Sequence, residues 1–385
     1  MNKVRIGIIG IGNMGSGHAM NLVRDMVDEA ILFAVADIRE ERRQWAKENL
    51  PRGIRIFESG DELIENANID AIFICTPHYL HPELAIKGFK KGLHVLSEKP
   101  AGVYTKQVRL MNEEAAKHDL VFGMMFNQRT NPVYIKMREL VQSGVYGQIK
   151  RVNWIITDWY RTQAYYNSGS WRATWDGEGG GVLLNQCPHN LDLIQWICGM
   201  PESVRAFCHE GKWHDIEVED DVTAYFEYPN KATGVFITST GDAPGTNRFE
   251  IDLEKAKIVS EHGKLMVYEL KENEREFCFT TTEGFAQPEG EWIEVETPGD
   301  NSQHIGVLRA FAKAILDKTP LIADGSEGIN GLTISNAIHL SSWLDKKITL
   351  PIDEEVFLDE LNKRRKNSKV KTNVTEATFD TEGTY

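Results

Sequence analysis

Gly10-Ile11-Gly12-Asn13-Met14-Gly15 is the first group of residues equipped for chemistry. It follows an apolar run and opens a helix-like stretch. Glycines at this spacing permit a tight turn and let the backbone come close to a pyrophosphate, which the N-terminus of the next helix attracts. Asp37 closes the next apolar run, roughly 20 residues further on, where a carboxylate accepts both ribose hydroxyls of NAD and repels a 2′-phosphate. Ile38 belongs to the same edge. The pattern favours NAD, while Arg39 and Arg42 keep NADP open as a second choice.

Two further apolar runs end in Thr76-Pro77-His78, with His81 close by, and in Glu98-Lys99-Pro100. In an open α/β sheet the C-terminal edge faces the ligand crevice. A lysine on a sharp turn there suits a proton donor or oxyanion partner, because its ammonium hydrogen-bonds a reacting oxygen. The plainer alternative is a solvated surface lysine. Asn185, His189 and Asp192 form a third cluster. His189 and Asp192 are spaced to share a helix face, so the carboxylate could stabilise an imidazolium formed at a general base. A capping or packed histidine remains the alternative.

Trp154, Trp159, Tyr160, Tyr165, Tyr166, Trp171 and Trp175 crowd one segment. Aromatic faces stack on sugars, and aromatics at strand spacing also fill cores, so both readings stand. Asp176, Glu178, His189 and Asp192 follow no metal-ligand spacing, and no metal is expected. Gly179-Gly180-Gly181 suits a close backbone approach. Glu217, Glu219, Asp220 and Asp221 read as a solvated turn without chemistry.

Strands buried on both faces are expected over 4–9, 31–36, 71–75, 94–96 and 121–125, and helices over 14–27, 40–48, 82–91 and 105–118. This alternation predicts a doubly wound parallel sheet. Beyond residue 127 the pattern changes. A helix over 132–143 leads to a strand over 149–160, and a Trp- and Gly-rich stretch turns helical from about Pro188. The region 203–296 reads as strands (VTAYFEY, ATGVFITST, NRFEIDL, GKLMVYEL, REFCFTTT), followed by helices over 303–316 and 325–345. The expected organisation is an NAD-binding Rossmann domain over 1–126, an α+β substrate and oligomerisation domain over 127–352, and a polar tail or strapping arm over 353–385.

The chain has 385 residues and a formal net charge of −14, which repels a nucleic-acid backbone. Its apolar runs are too short to span a bilayer, and the N-terminus lacks the layout of a secretory signal. The 5 cysteines include no CxxC pair, which argues against a disulfide framework or thiolate zinc site. A cytoplasmic protein is expected, with no nucleic-acid or membrane partner.

With these residues in view, the chain resembles the glucose–fructose oxidoreductase, inositol dehydrogenase and MocA family. The resemblance runs from GIGNMG through CTPHYLH, SEKP, FNQR, SWR and GGGVLLNQCPHNLDLIQW. It implies a Rossmann domain followed by a domain with a large, mostly antiparallel open sheet, and a homodimer or homotetramer formed on that sheet. It also implies that Lys99 and His189 flank the reacting carbinol, with Asp192 supporting the site. Thr76, Pro77, His78, His81, Glu98, Gln128, Trp171 and Arg172 would contact or shape the cofactor site. On the substrate side it places Asn127, Arg129, Trp159, Arg161, Asp176 and Asn185. Two positions depart from the pattern. Asn185 replaces an aspartate found in inositol dehydrogenases, and His78 replaces an asparagine.

The implied activity is NAD-dependent oxidation of a secondary hydroxyl on a neutral sugar, glycoside or cyclitol, or the reverse. The alternatives are a glycoside hydrolase or lyase that uses bound NAD in a transient oxidation, and a non-catalytic NAD sensor. The sensor has no need of both Lys99 and His189.

Overall fold

The structure, a computed structural model, describes residues 3–372, 374 and 375. Its first sheet contains β1 (Val4–Ile9), β2 (Ala30–Ala36), β3 (Arg55–Phe57), β4 (Ala71–Ile74), β5 (His94–Ser97) and β6 (Phe122–Met124), in the order β3-β2-β1-β4-β5-β6. All neighbours pair in parallel. The strands are apolar on both faces because helices cover both. One face packs Ile6, Ile8, Val35, Phe73 and Leu96 with Phe311, and the other buries Ala34, Ile72, Ile74 and Val95. Phe311 lies on the late helix Gln303–Asp317, so the chain returns to this sheet from the region expected to form the second domain.

The second sheet holds β7 (Ile149–Ile156), β8 (Ser203–Glu210), β9 (Glu219–Glu227), β10 (Thr233–Ser239), β11 (Asn247–Leu253), β12 (Ala256–Glu261), β13 (Lys264–Leu270), β14 (Gly290–Glu294) and β15 (Ile348–Thr349). Their order is β14-β13-β12-β11-β7-β10-β9-β8-β15, with β7 and β10 parallel and the other pairs antiparallel. Period-2 alternation gives it one apolar covered face, with Trp154 stacked on Phe249 at 4.1 Å.

Three local expectations are corrected. The segment REFCFTTT forms the helix Glu274–Thr280 instead of a strand. Asn273 caps it by accepting the Arg275 N–H at 2.8 Å, two glutamates occupy its first turn, and no residue of it is buried. Without a neighbouring strand to pack on, the aromatic and β-branched residues do not decide the conformation. The tail expected from 353 begins with the helix Glu354–Lys366, capped by Asp353 and docked through Phe357 and Leu361. β3 and the helix Gly60–Asn66 add to the expected elements.

Candidate active site

The C-terminal ends of β1, β2, β4 and β5 gather the glycine turn, Asp37, Thr76 and the Glu98-Lys99 pair along one edge. The turn is built for close approach. A Cβ on Gly15 would lie 1.9 Å from the Gly10 carbonyl oxygen, and Gly10 itself sits at φ +87°. The following helix, Asn13–Val23, receives no side-chain cap from Gly12, so its first N–H groups stay available to an anion. Asp37 accepts the Ile11 N–H at 2.9 Å and the Arg39 N–H at 3.0 Å, while Ile38 is exposed beside it. Thr76 Oγ1 is buried without a hydrogen-bond partner at the same edge. A phosphate cradle that no Cβ could enter, a fixed carboxylate and an unpartnered hydroxyl fit a dinucleotide. Arg42, expected at the cofactor, donates from Nε to the Ile11 carbonyl at 2.7 Å and so braces the turn.

Lys99 is half-buried, and its Nζ donates to the Asn185 carbonyl at 2.7 Å. Burial lowers its pKa, opposed by Glu98 and Glu178. His189 sits in the first turn of the helix Pro188–Cys198, with neither ring nitrogen hydrogen-bonded. Burial, and then the neighbouring Lys99 ammonium, push its pKa well below the ordinary imidazole value, so it is a neutral proton acceptor. The structure thus brings Lys99 and His189 within electrostatic reach of each other.

Behind them lies a network. His18 Nε2 meets Glu98 Oε1 at 2.8 Å, and the His304 ring is 5.3 Å from His18. Burial, the largest single influence, would raise the Glu98 pKa, but the His18 hydrogen bond together with the charges of His18, His304 and Lys99 outweighs it and holds the carboxylate at about 2. Asn185 donates to Glu178 Oε1 and accepts from the Tyr165 hydroxyl at 3.3 Å. Arg172 donates to the same hydroxyl at 2.7 Å, and its guanidinium lies 4.8 Å over Trp171. His78 faces the Glu178 carbonyl at 3.1 Å and meets Trp171 edge-on. Both ring nitrogens of His81 stand 2.7 Å from the Thr76 and Pro100 carbonyls, locking the two edge turns together. Gln128 is half-buried in the turn Asn127–Thr130.

Several expected substrate residues lie elsewhere. Arg129 is buried in a bidentate pair with Asp192 at 2.8 and 2.7 Å and also donates to Glu327 at 2.6 Å. Asp192 is therefore taken up by Arg129 and Gln195 and makes no hydrogen bond to His189. Sharing a helix face did not make them partners, because a buried cation competes for the carboxylate. Asn127 is fully buried and donates to Gln303. Asp176 is exposed and pairs with Arg365 at 3.0 Å. Trp159 and Arg161 remain by the cleft, the Arg161 guanidinium 5.7 Å over Trp159 and 5.3 Å over Tyr165. The aromatic segment divides: Trp154, Tyr166 and Trp175 are buried packing residues, whereas Trp159, Tyr165 and Trp171 border the cleft.

The acidic run is the largest revision. Glu219 and Asp220 are wholly buried. Glu219 accepts the Gly181 and Leu183 N–H groups at 2.8 and 3.0 Å, which fixes the turn bearing Asn185. Asp220 takes the Lys212, Trp213 and His214 N–H groups and the His214 ring, whose Nε2 in turn meets the Arg161 carbonyl at 2.9 Å. The register shift between β8 and β9 at His209/Glu210 places the extra residue that lets both acids turn inward. Among the described residues no group of three or more His, Cys, Asp or Glu is placed to hold a metal ion, and no helix is long and apolar enough to cross a membrane.

A six-stranded parallel Rossmann sheet carrying this phosphate turn and acidic ribose contact defines an NAD-binding oxidoreductase. Residues 4–126 match the family model for the oxidoreductase family with an NAD-binding Rossmann fold, and residues 134–259 match that for the GFO/IDH/MocA C-terminal domain. The chain belongs to the Gfo/Idh/MocA oxidoreductases. It is 27% identical over 360 residues to myo-inositol 2-dehydrogenase of Thermotoga maritima, covering 92% of this chain and 100% of that one. Levoglucosan dehydrogenase of Pseudarthrobacter phenanthrenivorans is 24% identical over 397 residues, covering 90% and 98%. Among solved structures, the WlbA dehydrogenase of Bordetella pertussis, in complex with NADH and UDP-GlcNAcA, superposes with a TM-score of 0.77 at 25% identity, over 92% of this chain and 99% of that one. These relatives are dehydrogenases, which does not favour the hydrolase or lyase alternative.

Proposed function

We propose that this chain oxidises a secondary hydroxyl on a neutral sugar, glycoside or cyclitol to a ketone with NAD, or runs the reverse, using Lys99 and His189 for the proton. The observation that carries the reading is a half-buried lysine fixed on the Asn185 carbonyl next to an imidazole that is neutral and unpartnered. When bound, NAD accepts the hydride. The glycine turn, Asp37, Thr76 and Glu98 hold it at the strand ends, with Trp171 and Arg172 closing over it. Lys99 donates a hydrogen bond to the reacting oxygen, and His189 or Lys99 takes up its proton. The two titrate as a coupled pair, so the proton belongs to the pair. Asn185 and Arg161, set by Glu219 and Asp220, orient the ring from the other side. Trp159 offers an aromatic face.

The relatives named for myo-inositol and levoglucosan support a neutral ring substrate, and the net charge of −14 works against a polyanion. Asn185, a neutral amide, can hold a hydroxyl but cannot pair as a charge with His189, which weighs against inositol itself. Residues 1–126, with the returning helix Gln303–Asp317, serve as the NAD-binding domain, and the remainder of 127–352 as the substrate and oligomerisation domain. The open face of the second sheet carries Ile155, Ile237, Thr223 and Phe207 in one registered row, beside Val235 and Tyr225. An apolar face of this kind supports a homodimer or homotetramer. The test is NADH absorbance on a panel of neutral sugars, glycosides and cyclitols with a nucleotide-sugar acid as control. Turnover of a neutral ring is expected, and turnover of the nucleotide-sugar acid alone would refute the substrate class.

A further inference from the structure

The loop 162–187 carries Tyr165, Trp171, Arg172, Glu178 and Asn185. It contains Gly169, Gly177, Gly179, Gly180 and Gly181 and one short helix, Gln163–Asn167. So glycine-rich a segment loses much backbone freedom on ordering and must be held by contacts from outside itself. Glu219 holds the end at 181–183, and the C-terminal segment supplies contacts to the rest. The helix Glu354–Lys366 docks on the helix Gly328–Leu344, Phe357 stacking on Trp343 at 5.3 Å and Arg364 lying 4.0 Å over the same indole. From there the chain crosses the loop. Arg365 pairs with Asp176 at 3.0 Å and lies 4.8 Å over Tyr79, whose hydroxyl donates to the Trp175 carbonyl. Ser368 donates to Glu217 at 2.7 Å and accepts the Asp176 N–H at 3.4 Å. Lys371 donates to the Tyr166 carbonyl, and the Thr375 N–H donates to the Asn167 carbonyl at 3.0 Å, beside a parallel bridge between Ser168 and Thr375.

We propose that the C-terminal segment is a strap that holds loop 162–187 over the cofactor cleft, and that Lys371 is a positioning residue acting through Tyr165, Glu178 and Asn185 on Lys99. This rests on the reading of Lys99 as catalytic, but its physical core does not. The path is continuous. Lys371 grips the backbone next to Tyr165, the Tyr165 hydroxyl donates to Asn185, Asn185 donates to Glu178, and the Asn185 carbonyl receives Lys99 Nζ. The Lys371 ammonium is partly withdrawn from water, which lowers its pKa, with Glu178 the largest opposing influence.

The test compares wild type, a chain ending at Asn367, and full-length Lys371→Ala and Lys371→Arg. Ending at Asn367 keeps the docked helix and removes Ser368, Lys371 and Thr375. Amide hydrogen exchange is read first, since it needs no substrate. The truncation should speed exchange in 162–187 by about ten-fold or more while leaving 4–126 unchanged. Lys371→Ala should give a smaller increase in the same segment, and Lys371→Arg should restore protection. On any substrate that turns over, kcat should fall with exchange while NAD affinity by fluorescence titration stays put. Unchanged exchange in 162–187 after truncation overturns the strap. Equal exchange in Lys371→Ala and wild type overturns the role of Lys371. Both exchange outcomes stand even if no neutral sugar turns over, so failure of the substrate assignment is a separate result.

Discussion

Replacing Asp192 by Asn separates two accounts of that residue. If Asp192 supported the His189 imidazolium, the change would act on turnover. In the structure its carboxylate is instead the main counter-charge of Arg129, and each side chain is only 1% exposed. Removing one partner of a buried pair costs about 3–5 kcal/mol, because the other charge is left in a poor dielectric. Asn keeps the shape and one acceptor, and Glu327 still neutralises Arg129 at 2.6 Å from a side chain that is 40% exposed. These offsets bring the expected loss to about 2–3 kcal/mol. For a unit of this size the melting temperature should drop by about 4–12 °C. The assay is a thermal melt by circular dichroism, paired with steady-state kinetics well below the transition. There kcat should fall less than about ten-fold, far short of the loss for removing an acid–base group. Replacing both charges together, Arg129→Met with Asp192→Leu, should cost less than the sum of the single changes. An unshifted melt with a hundred-fold loss of kcat would refute the argument and return Asp192 to the His189 site.

Three further outcomes follow from the geometry. Asp37→Ser should narrow the preference for NAD over NADP by removing the charge that opposes a 2′-phosphate, measured as the ratio of kcat/KM values; a wild type that prefers NADP would mean Arg39 dominates ribose recognition. His189 has its pKa lowered from 6.5 by burial and by the Lys99 cation, so its base form persists as pH falls. The acid limb of kcat/KM for alcohol oxidation should therefore lie below pH 6.5, and the residual activity of Lys99→Met should show that limb displaced upward, since a repelling positive neighbour is gone. Light scattering at micromolar concentration should give a multiple of the chain mass of 43.6 kDa; a value near 43.6 kDa itself would remove the role assigned to the open sheet face.

Local pattern carries far in this chain. The strands of the parallel sheet other than β3, the glycine turn after β1 and the Pro188 helix start are each decided by residues close in sequence, and lie where the local pattern puts them. The helix Gly60–Asn66 also has a local signal. Ser59 accepts the Glu62 N–H at 3.1 Å and Glu62 reaches back to the Glu58 N–H at 3.0 Å, an S-x-x-E start signal close to a capping box. Other features depend on partners far along the chain. His18 reads as one residue of an ordinary first helix until folding sets it against Glu98. Glu219 and Asp220 look like a solvated acidic turn because nothing nearby announces the β-bulge or the Gly181 and His214 N–H groups that wait for them. Asp192 and His189 show the converse error: helical spacing makes contact possible, and the choice of partner is then made by Arg129, which no periodicity links to them.

The central claim is that Lys99 and His189 form one proton-transfer unit. Its most direct test is single-turnover reduction of NAD with a saturating substrate in wild type, Lys99→Ala, His189→Ala and the double variant, with NAD affinity measured alongside by fluorescence. Each single change should slow the chemical step by about 10²–10⁴-fold, and the double variant by far less than the product, with NAD affinity little altered. A His189→Ala enzyme that reduces NAD at close to the wild-type rate would contradict the account and leave His189 a packed residue.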